Sequence, residues 1–290
     1  RFRNCGALQK HFNKKTNSAW FVKENEQHFF DEQDYAANCA GFVSCDQQRD
    51  NGPDYSAPYP CDSSPFLLMD YSPNYLTAFD TVARVQQTFS APSLASAELR
   101  FIAILRDPIE RAVSFFEHFQ PSDDINEWVN SGLAQLNSSR ACDSMVLSKS
   151  TRRAEEAICA GAYVVHLRRW TAESAGFKPS QFLLLSFSKY IEEPGLTMAA
   201  IAGHVGVANS AEQQQIAGEV TAAAKTNTAE SHQASAPAGT NFELNAETRA
   251  ALDTLFRPYT QELQEWAGRE SSQQDGIRVP FTSTEGPALF

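Results

Sequence analysis

The chain has 290 residues, 42% of them hydrophobic and 20% charged, enough to bury a sizeable core and to exclude wholesale disorder. Its 24 Lys and Arg against 35 Asp and Glu give a net charge of -11, which excludes coating of nucleic acid or anionic membrane through bulk charge. A local basic pocket for a phosphate or sulfate stays open. No apolar run approaches the roughly 18 residues of a membrane span, and no signal peptide is visible. The length suits two domains or one large α/β domain.

In chain order, residues 7 to 15 read as helix and 19 to 31 as extended. Residues 45 to 65, rich in Pro, Asp, Ser and Tyr, read as a long surface loop. Phe66 to Met69 is a short buried strand. Leu76, Phe79, Val82, Val85 and Phe89 recur at helical spacing and predict a helix over 74 to 89. Phe101 to Leu105 is a buried strand and Pro108 to Phe119 a helix. The polar stretch from 120 to 155 reads as a mobile insertion with some helix. Tyr163, Leu167 and Trp170 share a helical face, Phe182 to Leu185 form a third buried strand, and a helix follows near 195 to 205. Residues 221 to 242 read as a loop. Leu252, Leu255, Phe256, Tyr259, Leu263 and Trp266 give the cleanest amphipathic stripe, and 269 to 290 a polar tail. Short apolar strands alternating with helices predict an α/β layer fold with a mostly parallel sheet, whose ligands bind at the carboxyl ends of the strands.

The six cysteines are Cys5, Cys39, Cys45, Cys61, Cys142 and Cys159. They form no C-x-x-C pair and have no His at zinc-finger spacing, so no metal site is expected. At least one disulfide is expected, the loop-rich stretch from Cys39 to Cys61 suiting an oxidising lumen. Free thiols in a cytosolic enzyme are the alternative, and sequence does not assign pairing.

The most informative segment is Phe101-Ile-Ala-Ile-Leu-Arg106-Asp107-Pro108-Ile-Glu110-Arg111-Ala-Val-Ser114. The strand ends at Arg106, which sets a guanidinium at the sheet's carboxyl edge. Asp107 suits an N-cap, Pro108 the first helical position, and Glu110 completes a capping-box pattern. Arg111, Ser114 and His118 fall on one helical face. A strand-end Arg with a hydroxyl on the next helix can hold a phosphate through charge-assisted bonds. An Arg paired with a neighbouring carboxylate and a Ser that only packs is the equal alternative from physics alone. This segment resembles the 3'-phosphate-binding element of sulfotransferases that use 3'-phosphoadenosine 5'-phosphosulfate, in which R-D-P-x-x-R and then a Ser follow an apolar strand. By that resemblance Arg106 and Ser114 hold the 3'-phosphate.

Lys23-Glu24-Asn25-Glu26-Gln27-His28-Phe29-Phe30-Asp31 is dense in ionisable groups. On an extended segment Glu24, Glu26 and His28 share a face, where a carboxylate and an imidazole can act on one proton. An exposed charged edge is the alternative, although the paired Phe residues anchor the segment. The stretch resembles the E-N-E-x-H-F-F element of heparan sulfate glucosaminyl 3-O-sulfotransferases and, more broadly, the K-E-x-H-F-F-D element of Golgi carbohydrate sulfotransferases. The resemblance makes Glu26 the general base and His28 its support, with Lys23 and Asp70 on the acceptor side.

Further stretches follow in the family's order. Asp70-Tyr71-Ser72-Pro73-Asn74-Tyr75 resembles E-K-[ST]-P-x-Y. Gly161-Ala-Tyr163, Leu167, Trp170, the strand from Phe182 and Pro194 resemble G-x-Y…L…W…strand…P. Leu255-Phe256-Arg257-Pro258-Tyr259 through Gly268 resembles the closing helix, in which a proline turn precedes a Leu-rich stripe. The resemblance spans roughly residues 7 to 268 and implies one P-loop-type sulfotransferase domain, a central mostly parallel sheet flanked by helices.

Two departures stand out. The family's K-x-G-T-[ST] loop, which cradles the 5'-phosphosulfate, has no counterpart; Arg3-Asn4-Cys5-Gly6-Ala7-Leu8 stands at or just after its place. The start without Met leads to the expectation that this loop lies upstream, degeneration being the alternative. The Lys of E-K-[ST]-P is Tyr71 here, which weakens the substrate assignment more than the reaction class.

The resemblance implies sulfuryl transfer from 3'-phosphoadenosine 5'-phosphosulfate, without a metal, to a carbohydrate hydroxyl or amine. It implies no nucleic-acid partner, a Golgi-lumen or secretory location with a cytoplasmic one as the alternative, and a membrane anchor only through a missing amino terminus. Lys225 and Thr226 stand where the family has a loop over the nucleotide, or are a solvated linker. The basic pairs Arg152-Arg153 and Arg168-Arg169 are contacts for an acidic glycan, or exposed helix charges. Asn137-Ser138-Ser139 reads as a glycosylation acceptor. A P-loop kinase is disfavoured by the missing Walker A sequence, and a non-catalytic glycan-binding relative is the other rival.

Overall fold

The computed structural model describes residues 20–22, 67–69, 72–89, 99–138, 140–147, 153–206, 211, 214–215 and 239–271. The chain divides into two compact units, Arg1–Glu98 and Leu99–Phe290. The described elements are α-helices, short 3-10 turns and parallel strand pairs, a mixed α/β fold.

In the first unit, strand β1 (Trp20–Val22) pairs in parallel with β2 (Leu67–Met69), Phe21 opposite Leu68. Helix α1 spans Thr81–Phe89 and buries Val82 and Val85. It is shorter than the spacing predicts. Residues 73 to 77 are turns, with the Asn74 carbonyl accepting from the amides of Thr77 and Ala78, and Phe79 is 49% exposed. The apolar periodicity therefore continues through Leu76 and Phe79 without a helix beneath it.

In the second unit, β3 (Phe101–Leu105) pairs in parallel with β4 (Phe182–Ser186), in register from Phe101 opposite Phe182 to Leu105 opposite Ser186. Every residue of β4 is buried, as in a strand covered on both faces. At its start Phe101 stacks on Phe182 at 4.7 Å between ring centroids and meets Trp170 at 5.0 Å.

Helix α2 (Pro108–Phe119) follows β3 directly. The Asp107 carboxylate caps it, Oδ1 accepting from the amides of Ile109 and Glu110, both at 2.9 Å. The reciprocal half of a capping box is not formed, because Glu110 pairs with Arg249 far along the chain. Ile109, Ala112 and Phe116 form the buried stripe of α2.

Helix α3 (Ile125–Gln135) is the helix expected within the polar stretch from 120 to 155, and its buried face makes it part of the core rather than a loose insertion. Asp124 caps it, and Ile125, Trp128, Val129 and Gly132 are buried. Gly132 faces α4 (Ala154–Cys159) so closely that a Cβ there would sit 2.7 Å from Ala154 Cβ and 2.9 Å from the Glu155 amide. A polar seam ties the α3 start to the approach to the last helix. Asn241 donates to the Asp123 carbonyl at 2.7 Å, and Asn126 Nδ2 to the Glu243 carbonyl at 2.9 Å. Asn241 Nδ2 donates to the Asp124 carboxylate at 3.0 Å, and this bond foremost, with those from Asn126 and the Glu127 amide, holds the Asp124 carboxyl below its ordinary pKa.

Helix α5 (Tyr163–Trp170), α6 (Phe187–Glu192) and α7 (Pro194–His204) precede the closing helix α8 (Ala246–Ser271). Leu252, Leu255, Phe256, Tyr259 and Leu263 of α8 are all buried, about 1.5–3 kcal/mol of favourable transfer for each large apolar side chain. The helix runs through Pro258 and on to Ser271, so this proline lies inside it rather than in a turn before it. Cys142 and Cys159 form a disulfide with a Cα separation of 5.1 Å. The expectation of a disulfide is met between α4 and the turn Ala141–Ser144; Cys39 to Cys61 lie outside the described residues.

Candidate functional site

The carboxyl ends of β3 and β4 open into a cleft of about 280 Å³ lined by Arg106, Asp107, Glu110, Ser186, Phe187, Ser188, Ile191 and Glu192. The register explains the convergence: Leu105 opposes Ser186, so the residues that follow each strand, Arg106 and Phe187, emerge side by side. This is where a parallel sheet presents its ligand-binding edge.

Arg106 is the cation of this cleft. Its guanidinium lies over the Phe187 ring, 5.3 Å from the centroid, and makes no ion pair with a described carboxylate. The neighbouring acids are engaged elsewhere. Asp107 caps α2, Glu110 pairs with Arg249 at 3.1 Å, and Glu192 pairs with Lys189 at 3.0 Å. Lys189, drawn by Glu192 and Glu193, has its pKa raised. The Ser186 and Ser188 hydroxyls share a hydrogen bond of 2.8 Å, and Ser186 Oγ also accepts from the Lys189 amide.

The main chain at Arg106 is held from beneath. Tyr163 donates its hydroxyl hydrogen to the Arg106 carbonyl at 2.9 Å. Burial raises the pKa of that phenol, keeping it a donor. Gly161, two residues earlier, lets the α2 start approach. A Cβ there would lie 2.9 Å from Pro108 Cβ and 3.1 Å from the Phe256 ring. The Gly161-Ala-Tyr163 motif therefore supports the Arg106-Asp107-Pro108 segment. Arg111 turns inward, Nη1 donating to the Ala157 carbonyl at 2.8 Å; burial lowers its pKa, and the Tyr163 phenol acts in the opposite direction.

Below this level lies His166, 2% exposed. Its Nε2 meets the Cys159 carbonyl at 3.1 Å, while Nδ1 has no partner among the described residues. Burial, reinforced by Arg169, lowers its pKa to about 3, so the ring is neutral in the fold and Nε2 carries the hydrogen.

Ser114 lies on α2, half-buried, outside the residues that line the cleft. Arg153 is exposed and pairs with Glu155 and Glu156. Arg168 pairs with Glu262, which also binds Arg140. Lys23, Glu26, His28, Asp70, Arg152, Lys225 and Thr226 lie outside the described residues. Sequence reasoning did not single out Phe187, Ser186 or Ser188. The available signal was the Ser-Phe-Ser that follows a fully apolar strand.

A family model described as a sulfotransferase domain matches residues 8–249. The chain belongs to the sulfotransferase-domain family. The match contains the strand, cap and helix around Arg106 and every residue that lines the cleft, and it ends within the first turn of α8. A comparison with curated proteins found no match. The reaction class of this sulfotransferase-domain protein is sulfuryl transfer. Among the described residues no group of three or more His, Cys, Asp or Glu could hold a metal ion, and no helix is long and apolar enough to cross a membrane.

Proposed function

We propose that this sulfotransferase moves a sulfuryl group from 3'-phosphoadenosine 5'-phosphosulfate, the donor that the family generally uses, to a hydroxyl or amine of a carbohydrate. The observation that carries the reading is Arg106, a strand-end guanidinium in the cleft while each nearby carboxylate is engaged elsewhere. A guanidinium so disposed suits a phosphate through paired charge-assisted bonds. Arg106 and Ser114 would hold the 3'-phosphate, with Lys225 and Thr226 over the nucleotide. Lys23, Asp70, Arg152 and Arg153 would serve the acceptor, Arg153 after leaving Glu155 and Glu156.

Glu26, supported by His28, would take the proton of the acceptor. As it does so, the acceptor oxygen or nitrogen bonds sulfur, and the sulfur–oxygen bond to the 5'-phosphate breaks. The leaving group is adenosine 3',5'-bisphosphate. The protein's contribution is positioning and electrostatics, as in phosphoryl transfer.

The Cys142–Cys159 disulfide favours an oxidising secretory compartment such as the Golgi lumen, and the exposed Asn137 agrees with a glycosylation acceptor. The deciding experiment is incubation with radiolabelled donor and a panel of uronate-bearing, amino-sugar and neutral glycans. Label on a glycan, lost with Glu26→Gln, is expected. Label on small phenols or steroids alone would replace the acceptor class.

A further inference from the structure

Phe187 begins the α6 helix immediately after β4, and its ring lies under the Arg106 guanidinium at 5.3 Å from the centroid. The pairing of Leu105 with Ser186 fixes the two residues as neighbours. No described carboxylate holds the Arg106 head, so the aromatic face is its described side-chain partner. A cation over a ring face is attracted by the ring quadrupole and loses rotamer freedom there. Ser186 and Ser188, on either side of Phe187 in the chain, share a hydrogen bond, and Ser186 Oγ also accepts from the Lys189 amide, which ties down the backbone that carries the ring.

We infer that Phe187 is a positioning residue, a platform that aims Arg106 at the 3'-phosphate of the donor. The inference rests on the proposed role of Arg106. It distinguishes Phe187 from a residue that only fills space, because its effect must pass through the guanidinium and reach only ligands that carry a 3'-phosphate.

The test is calorimetric titration of the full chain with adenosine 3',5'-bisphosphate and, in parallel, with adenosine 5'-phosphate. The variants are Phe187→Leu, Phe187→Tyr, Arg106→Ala and the double variant Phe187→Leu/Arg106→Ala. Phe187→Met is added as a second aliphatic variant that keeps the volume. Expected is a loss of about twofold to tenfold in bisphosphate affinity for Phe187→Leu, no change for the 5'-phosphate, and recovery in Phe187→Tyr. In the Arg106→Ala background the Phe187 effect should vanish, the signature of coupled residues.

Equal weakening for both nucleotides would overturn the inference, since a packing defect acts on both. Unchanged or tighter bisphosphate binding would also overturn it, showing that the ring merely stores the guanidinium. Those two results with Arg106→Ala still weakening the bisphosphate leave the donor reading standing. If Arg106→Ala leaves bisphosphate affinity intact, the donor reading itself fails and the inference falls with it.

Discussion

The Tyr163 hydroxyl donates to the Arg106 main-chain carbonyl across 2.9 Å, joining α5 to the end of β3. Fifty-seven residues separate the two in the chain, so the bond is tertiary and fixes where the strand ends. Tyr163→Phe removes this bond alone and should cost about 1 kcal/mol of stability in urea denaturation. Bisphosphate affinity should fall with it. Unchanged stability and affinity would show that the segment is held without Tyr163.

Gly161 allows Pro108 to approach, so Gly161→Ala forces a methyl to within 2.9 Å of Pro108 Cβ and 3.2 Å of the Ile158 carbonyl. The neighbours are a ring and backbone, neither of which gives easily. Destabilisation of about 1–3 kcal/mol is expected, read as a lower thermal midpoint. A raised midpoint would contradict the close approach.

The bridge between Cys142 and Cys159 spans a sequence separation of 17 and joins the Ala141–Ser144 turn to α4. Arg140 reinforces the turn by lying over Tyr259, whose hydroxyl accepts from the Cys142 amide at 3.2 Å. Replacing both cysteines by Ser should cost about 3 kcal/mol on chain-entropy grounds. Coincident denaturation curves for oxidised and reduced protein would show that this bridge contributes nothing.

His166 gives stability a pH dependence. Its ring is neutral in the fold, with a pKa lowered to about 3, whereas the unfolded chain protonates near 6.5. Between those values the unfolded state binds more protons, so stability falls as pH drops below 6.5 and is retained above it. The slope from this residue approaches about 1.4 kcal/mol per pH unit at most. Denaturation at pH 7.5 and 5.0 should show a narrower difference for His166→Gln than for the parent. Equal differences would place the pH dependence elsewhere.

The site-bearing strand and helix are legible in the sequence because their borders carry local chemistry. Asp107 caps and Pro108 starts α2, and the apolar run before them fills β3. Glu110 looked equally local, but Arg249 claims it, a partner 139 residues away that no local pattern contains. Helix α3 was obscured by the Asn, Glu and Ser around it, although Ile125, Trp128, Val129 and Gly132 keep helical spacing after a capping Asp124. In α1 the same periodicity misled, because Leu76 and Phe79 continue it into turns. The cysteine pairing and the Phe187 platform follow from tertiary neighbours. The sequence marks Phe187 only as another aromatic beside a strand.

The central claim is that Arg106 grips the 3'-phosphate of the donor. Calorimetric titration of the parent and of Arg106→Ala with adenosine 3',5'-bisphosphate tests it most directly. Micromolar binding by the parent, weakened at least tenfold in the variant with its fold intact, is the predicted result. Equal affinity in the two proteins, or no binding by a folded parent, would contradict it.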